Sequence, residues 1–261
     1  TSPALSDAAA YPDFFRVVPS DALQGQALSA VVSADMPANG TVGLVHMTNA
    51  YGSGLADAFT ADFTADGTAL CTTIGYEETM TDFSAAVQSM ADSGCTSAVL
   101  VSYAADGGMI IDEMAAQGWS GQVYGGDGIA EEGLATDATS SVNGIIATKP
   151  ASAATGEVGY VFAALCAQNP DCAGGIYTAE AFDGIVLVAL AAFAQLASPG
   201  ATLSQVIMAT GQGLAGASGD ISFMANGDVP GAGYCVGDFT EDADGVSFDC
   251  NRSWDPVNGM S

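Results

Sequence analysis

Three short segments hold the side chains best placed for chemistry: Asn49–Gly52, Tyr103–Asp106 and Gly126–Ile129. Each follows an apolar run that reads as a strand. In a parallel sheet wound with helices, ligands sit outside the carboxyl ends of the strands. Asp127 supplies an anion at such a position. Tyr51 and Tyr103 each combine apolar area with a hydroxyl at low entropic cost. Taken singly, each has a plainer reading: Asp127 as a turn cap, the tyrosines as packed residues.

Catalytic signatures are missing from the same sequence. There is no G-x-S-x-G elbow, P-loop or H-E-x-x-H, and His46 is the only histidine. Gly213, Gly216 and Gly219 do not form the dinucleotide fingerprint. Acid pairs such as Glu77/Glu78 and Glu131/Glu132 follow from the abundance of acids. Glu241, Asp242, Asp244 and Asp249 lack EF-hand spacing and read as a solvated acidic hairpin. No enzyme, cofactor or metal is expected. His46 reads as a core residue.

The elements that must position the three segments alternate from Gly40 onward. Strands are expected at 41–47, 70–75, 97–102 and 122–125, with helices at 54–65, 83–92 and 107–117 between them. Such alternation indicates an α/β chain with a parallel sheet covered on both faces. After Ile145–Lys149 the rhythm changes. Helices are expected at 157–168, 178–196 and 203–210, then strands at 220–223 and 233–239 around Asn226–Gly227–Asp228, and a last strand near 246–250. The run Ile185–Ala194, about half the ~20 residues that span a bilayer, reads as a buried helix. Pro19–Gly25 and Thr148–Ala154 read as crossings between two lobes. Arg16 and Lys149 fall there and suit ion pairs with acids such as Asp13 or Asp21; Asp183 suits the first turn of its helix.

The 261 residues carry 30 Asp+Glu against 3 Lys+Arg, a formal charge of −27. Three cations cannot form a basic stripe, so nucleic-acid binding and attachment to an anionic membrane surface are excluded. With 49% hydrophobic and 13% charged residues, the chain can bury a core. The acid excess suits a saline medium or a secreted protein alike. Six cysteines without C-x-x-C spacing suggest disulfides and an oxidising compartment. The short spacings favour Cys71/Cys95, Cys166/Cys172 and Cys235/Cys250, with free buried thiols as the alternative. Thr1 is no initiator and no signal peptide is present, so the chain is expected to be processed or a fragment.

Eight stretches, in order, carry a resemblance: TSPAL (Thr1–Leu5), FFRVVPSDALQG (Phe14–Gly25), NAYGSGLADAF (Asn49–Phe59), TDFSAAV (Thr81–Val87), GGDGIAEEGL (Gly125–Leu134), TKP (Thr148–Pro150), AFDGIVLVALA (Ala181–Ala191) and GDISFMANGDVPGAGY (Gly219–Tyr234). Together they resemble the type I periplasmic solute-binding proteins, specifically the branched-chain amino-acid-binding family of ABC importers. The resemblance implies two Rossmann-like lobes of parallel sheet flanked by helices. One lobe would comprise residues 1–24 and 149–237, the other 25–148 and 238–261. Family members open with several βα units before the TSPAL-like loop, so the resemblance also implies an incomplete first lobe, prone to self-association or completed by a companion fragment.

Function follows from the same resemblance. Asp127 would hold the α-ammonium of an amino acid or amide, Tyr51 and Tyr103 would line the cleft, and Thr1 with Ser2 would meet the ligand from the first lobe. The implied protein is a non-enzymatic, periplasmic or extracellular binding component that hands its ligand to a membrane permease. A sensory domain of the same fold is the first rival and an α/β hydrolase the second.

Overall fold

A sheet whose strands are apolar on both faces must be covered twice, and the larger part of this chain is built that way. The structure, a computed structural model, describes residues 1–151, 156–169, 172, 175–243 and 245–261. In chain order its elements are α1 (Asp21–Asp35), β1 (Val42–Met47), α2 (Ala50–Phe63), β2 (Thr72–Tyr76), α3 (Ser84–Asp92), β3 (Ser97–Val101), α4 (Ala104–Ala116), β4 (Gln122–Gly125), α5 (Gly133–Asp137) and β5 (Ile146–Pro150). There follow α6 (Gly156–Cys166), α7 (Thr178–Ala197), α8 (Leu203–Thr210), β6 (Leu214–Ala215), β7 (Asp220–Ile221), β8 (Tyr234–Asp242), β9 (Gly245–Asp255) and β10 (Gly259–Met260).

The chain divides into two units. The first comprises Thr1, Pro3–Ser20 and Pro150–Ala232; the second comprises Ser2, Asp21–Lys149 and Gly233–Ser261. The breaks therefore leave all of α1 and all of β8 in the second unit. The residues 152–154 of the expected crossing, and Asp244 of the acidic hairpin, lie outside the described residues.

In the second unit an eight-stranded sheet runs β10-β9-β8-β5-β4-β3-β1-β2. The pairings β1–β2, β1–β3, β3–β4 and β4–β5 are parallel, while β8–β9 and β9–β10 are antiparallel. Side chains alternate between faces along each strand. Val45, Met47, Ala98, Leu100 and Val123 pack with Phe83, Met90, Ile110 and Met114. Val42, Leu44, Val99, Val101 and Tyr124 pack with Leu28, Val32, Leu55 and Phe59. Gly25 lets α1 approach α2, since a Cβ there would lie 2.6 Å from Ala58. Gln24 of the same helix donates to the Thr148 carbonyl at 3.0 Å, tying α1 to β5.

Helix α1 is absent from the sequence expectation, which treated 19–25 as a crossing. Its Gly, Ser and Ala residues give little contrast between faces, so the apolar period is weak. Helices α2 and α4 also start earlier than expected, each directly after its strand. Strands 220–223 and 233–239 are not partners around the Asn226 turn: β7 pairs with β6, and β8 pairs with β9. Glu241 of that hairpin accepts from Ser141 Oγ at 2.8 Å and Val142 N at 2.9 Å. His46 is half-buried, with Nδ1 2.9 Å from the Met47 carbonyl.

The first unit is held by two buried carboxylates. Asp228 accepts from Arg16 Nε at 2.7 Å, and Arg16 also donates to Ser6 and to the Thr1 carbonyl. This partner lies 212 residues away in sequence, beyond the reach of a reading by local spacing. Asp183 is not a first-turn acid, because α7 begins at Thr178. It accepts instead from Ala217 N, Ser218 N and Ser218 Oγ at 2.6–2.7 Å, pinning the turn before β7. Lys149, in the second unit, lies 4.9 Å from the Phe248 ring centroid.

The expectation of a buried 185–194 run is overturned. Only Leu187 and Ala191 of that stretch are buried, while Ile185, Val188, Leu190 and Phe193 are exposed, Phe193 at 73%. Helix α7 is long and apolar enough to cross a membrane by length and composition. Its inner side is nonetheless occupied by Glu180 and Asp183, both buried. Disulfides join Cys71–Cys95, Cys166–Cys172 and Cys235–Cys250, with Cα–Cα distances of 5.8, 5.1 and 5.5 Å.

Burial alone would raise the Asp228 carboxyl, but hydrogen bonds from Arg16 and Ser6 and the guanidinium charge hold it below the usual carboxylate range. A depressed folded pKa stabilises above the unfolded value near ~3.9 and loses that contribution as pH falls through the folded value. Arg16→Met, which strands a buried charge, should cost about 3–5 kcal/mol at pH 7 in guanidinium unfolding. The difference from the parent should shrink below about pH 3.

Candidate ligand-binding site

The carboxyl ends of β2, β1, β3 and β4 are neighbours in the second unit, and each leads into a loop or helix start with a polar side chain. From β1 the chain enters α2, capped by Asn49, whose Oδ1 accepts from Gly52 N at 2.7 Å. The cap sets the first turn and with it Tyr51. From β3 the chain enters α4, where Asp106 accepts from Tyr103 N at 3.1 Å and fixes the turn carrying Tyr103. Beyond β4, Asp127–Ile129 form a single 3-10 turn.

These turns converge on one cluster. Tyr51 Oη donates to Asp127 Oδ1 at 2.9 Å and accepts from Gly128 N at 3.1 Å. The Tyr51 and Tyr103 rings stack with centroids 5.3 Å apart and planes 16° apart. Asp127 is 4% exposed, whereas Tyr103 is 46% exposed. Glycine is required around the phenol. A Cβ on Gly126 or Gly128 would stand 3.0 Å from Tyr51 Oη, and on Gly128 also 2.4 Å from the Ser102 carbonyl.

Electrostatically the cluster is anionic. Burial first, then the Asp127 charge, pushes the Tyr51 phenol well above its ordinary value, so it remains a donor. Tyr103 is raised by burial and by the charges of Asp127, Glu78 and Asp106, against a lowering hydrogen bond from Asn49. Asp106 is raised by burial, opposed by the Tyr76 hydroxyl that donates to it and by backbone N–H groups. The chemistry on offer is capture of a cationic group by Asp127 beside an aromatic wall; no nucleophile–base pair is present in the cluster.

Of the residues expected from sequence, the structure brings Asp127, Tyr51 and Tyr103 together. Thr1 lies in the first unit, its carbonyl accepting from Arg16 Nη1 at 2.8 Å, and Ser2 is half-buried. Sequence reasoning placed Asn49 and Asp106 within segments read for function but gave them no role, and set Glu78 aside as one of many acids. The first two carry cap signals, an Asn at a strand–helix junction and an acid three residues beyond Tyr103.

Residues 1–242 match the model of the family described as receptor family ligand binding region. The chain belongs to that family. Its fold is the type I periplasmic binding fold. A leucine-binding protein of Thermotoga maritima superposes with a TM-score of 0.76 at 19% identity, over 94% of this chain and 68% of its own. A type 1 periplasmic binding protein of Bordetella pertussis gives 0.73 at 15% identity, over 89% and 67%. An ABC transporter substrate-binding protein of Desulfitobacterium hafniense gives 0.68 at 20% identity, over 95% and 70%. No curated relative matches by sequence.

Tyr51→Phe leaves the Gly128 N–H without its acceptor and should lower stability by about 1–3 kcal/mol in urea unfolding. A phenol with a raised folded pKa stabilises below the ordinary value near ~10, and the contribution fades as pH climbs past it. Alkaline absorbance titration should therefore show the variant keeping the step near pH 10 and losing signal only from the later one. Tyr124, pushed up to about 12 mainly by burial, should remain in that later step.

Proposed function

We propose that the chain is the extracytoplasmic binding component of an importer for a small amino acid or related amide. The observation that carries the reading is the buried Asp127, oriented by the Tyr51 hydroxyl at 2.9 Å beside the Tyr51–Tyr103 stack. An ammonium placed on that carboxylate gains a charge-assisted hydrogen bond worth about 1.5–3 kcal/mol. The aromatic pair covers the ligand's apolar part. The same reading assigns Thr1 and Ser2 to the ligand carboxylate and treats the two units as the two lobes of the fold.

The leucine-binding name of one neighbour supports leucine or an amino acid like it, and the ABC transporter name of another supports a membrane permease as the recipient. The three disulfides support an oxidising exterior, periplasmic or extracellular. The exposed apolar side of α7 supports association, with a second copy or with a companion fragment. A sensory role is the second reading, favoured by the receptor description of the matching family. The binding step would be the same, and pull-down against a permease or a signalling partner separates the two.

Calorimetry against a panel of amino acids and amides tests the proposal. One or more should bind, and Asp127→Ala should weaken that binding about tenfold or more. Unchanged affinity in the variant would remove Asp127 from the site. Turnover of an amide or ester, abolished by a single substitution, would replace the binding role with an enzymatic one.

A further inference from the structure

Two acids near the start of α7 are buried, and the fold accounts for only one of them. Asp183 is met by three donors, Ala217 N, Ser218 N and Ser218 Oγ. Glu180, one turn earlier, is 2% exposed, yet its Oε2 has no hydrogen-bond partner among the described residues. A buried carboxylate oxygen without a donor is costly, and most buried polar atoms in folded proteins have a partner. Burial first, and then the Asp183 charge, pushes the Glu180 carboxyl above its ordinary value, against its own backbone N–H. Further along the same buried stripe of α7 stand Leu187 and Ala191, which carry no such cost.

Glu180 lines a cavity of about 290 Å³ that lies wholly within the first unit. Val17, Pro19, Ile221 and Val229 give the cavity an apolar wall, and Ser218 and Asp220 bring polar groups beside Glu180. None of the lining residues is basic. A primary ammonium supplies both things that Glu180 Oε2 lacks, an N–H donor and a positive charge. The wall suits an alkyl group, and a volume at the small end of the ligand-cavity range of about 300–1,000 Å³ keeps that group short. A ligand carboxylate would meet the charges of two acids, which favours simple amines over amino acids.

We propose that this cavity is a binding site for small primary alkylammonium ions, with Glu180 as the group that holds the ammonium. The ammonium donates to Oε2, and the alkyl chain lies against Val17, Ile221 and Val229. The site is separate from Asp127, which belongs to the second unit, and does not depend on the role assigned to that residue.

The probes are n-butylammonium and n-butanol, which match in size and differ in charge. In amide NMR on the full chain, n-butylammonium should shift Ser218, Ile221 and Val229 and bind more tightly than n-butanol. Glu180→Gln should weaken n-butylammonium about tenfold, the loss of one charge-assisted hydrogen bond. Ala232→Phe, which adds bulk at an exposed position lining the cavity, should weaken both probes. If n-butanol binds the parent chain as tightly as n-butylammonium, or Glu180→Gln keeps the full affinity, the role of Glu180 is overturned. If neither probe shifts these amides, or the shifts gather only around Asp127, the site itself falls.

Discussion

Double-sided burial of the parallel sheet is the constraint on which the second unit depends. Strands β1, β3 and β4 have almost no exposed residue, and they place apolar side chains alternately against α1–α2 and α3–α4. With both faces committed to packing, polar side chains are accommodated at the ends of the strands. The short links from β1 into α2 and from β3 into α4 put Asn49, Tyr51 and Tyr103 there. A polar cluster at the carboxyl edge is thus a consequence of the core, and its residues are positioned by helix caps that would be needed in any case.

Charge adds a second constraint. A chain with a formal charge of −27 has few counter-charges to distribute. Two of its three basic residues bind carboxylates across long sequence separations, Arg16 to Asp228 and Arg252 to Asp35. Several of the remaining acids accept from N–H and hydroxyl donors. Asp112 accepts from Thr139 and Ser140, and Asp183 from Ala217 and Ser218. Such bonds to neutral donors survive high ionic strength better than exposed ion pairs, which salt screens.

How much of this was legible in the sequence depends on where the determining contact lies. Contiguous apolar runs such as 42–47 and 97–101 announce buried strands, and the residues after them mark the carboxyl edge, so the convergence of Tyr51, Tyr103 and Asp127 there could be read. Helix α1 could not, because its packing uses Gly25 and small residues in place of a clear apolar stripe. The run 185–194 misled for the opposite reason: apolarity reports that a segment needs cover but not whether this chain supplies it. Arg16 and Asp183 found partners through tertiary proximity that spacing cannot reveal. Glu78 was hidden by composition, since one acid among 30 carries no signal until its strand end is placed beside β1.

The direction of the hydrogen bonds at Tyr51 explains why a buried acid tolerates its position. Gly128 N–H donates to the phenol oxygen, and the phenol O–H donates to Asp127, giving one chain of donors ending on the carboxylate. The reverse orientation is closed off, because a backbone N–H can only donate and the phenol's raised pKa keeps its proton in place. The Tyr51 hydroxyl is thereby a neutral donor to the Asp127 carboxylate. A lysine or arginine in place of Tyr51 would pair with the carboxylate at its own desolvation cost and would compete with any ammonium that approached. A phenol donates to the carboxylate without adding a positive charge of its own.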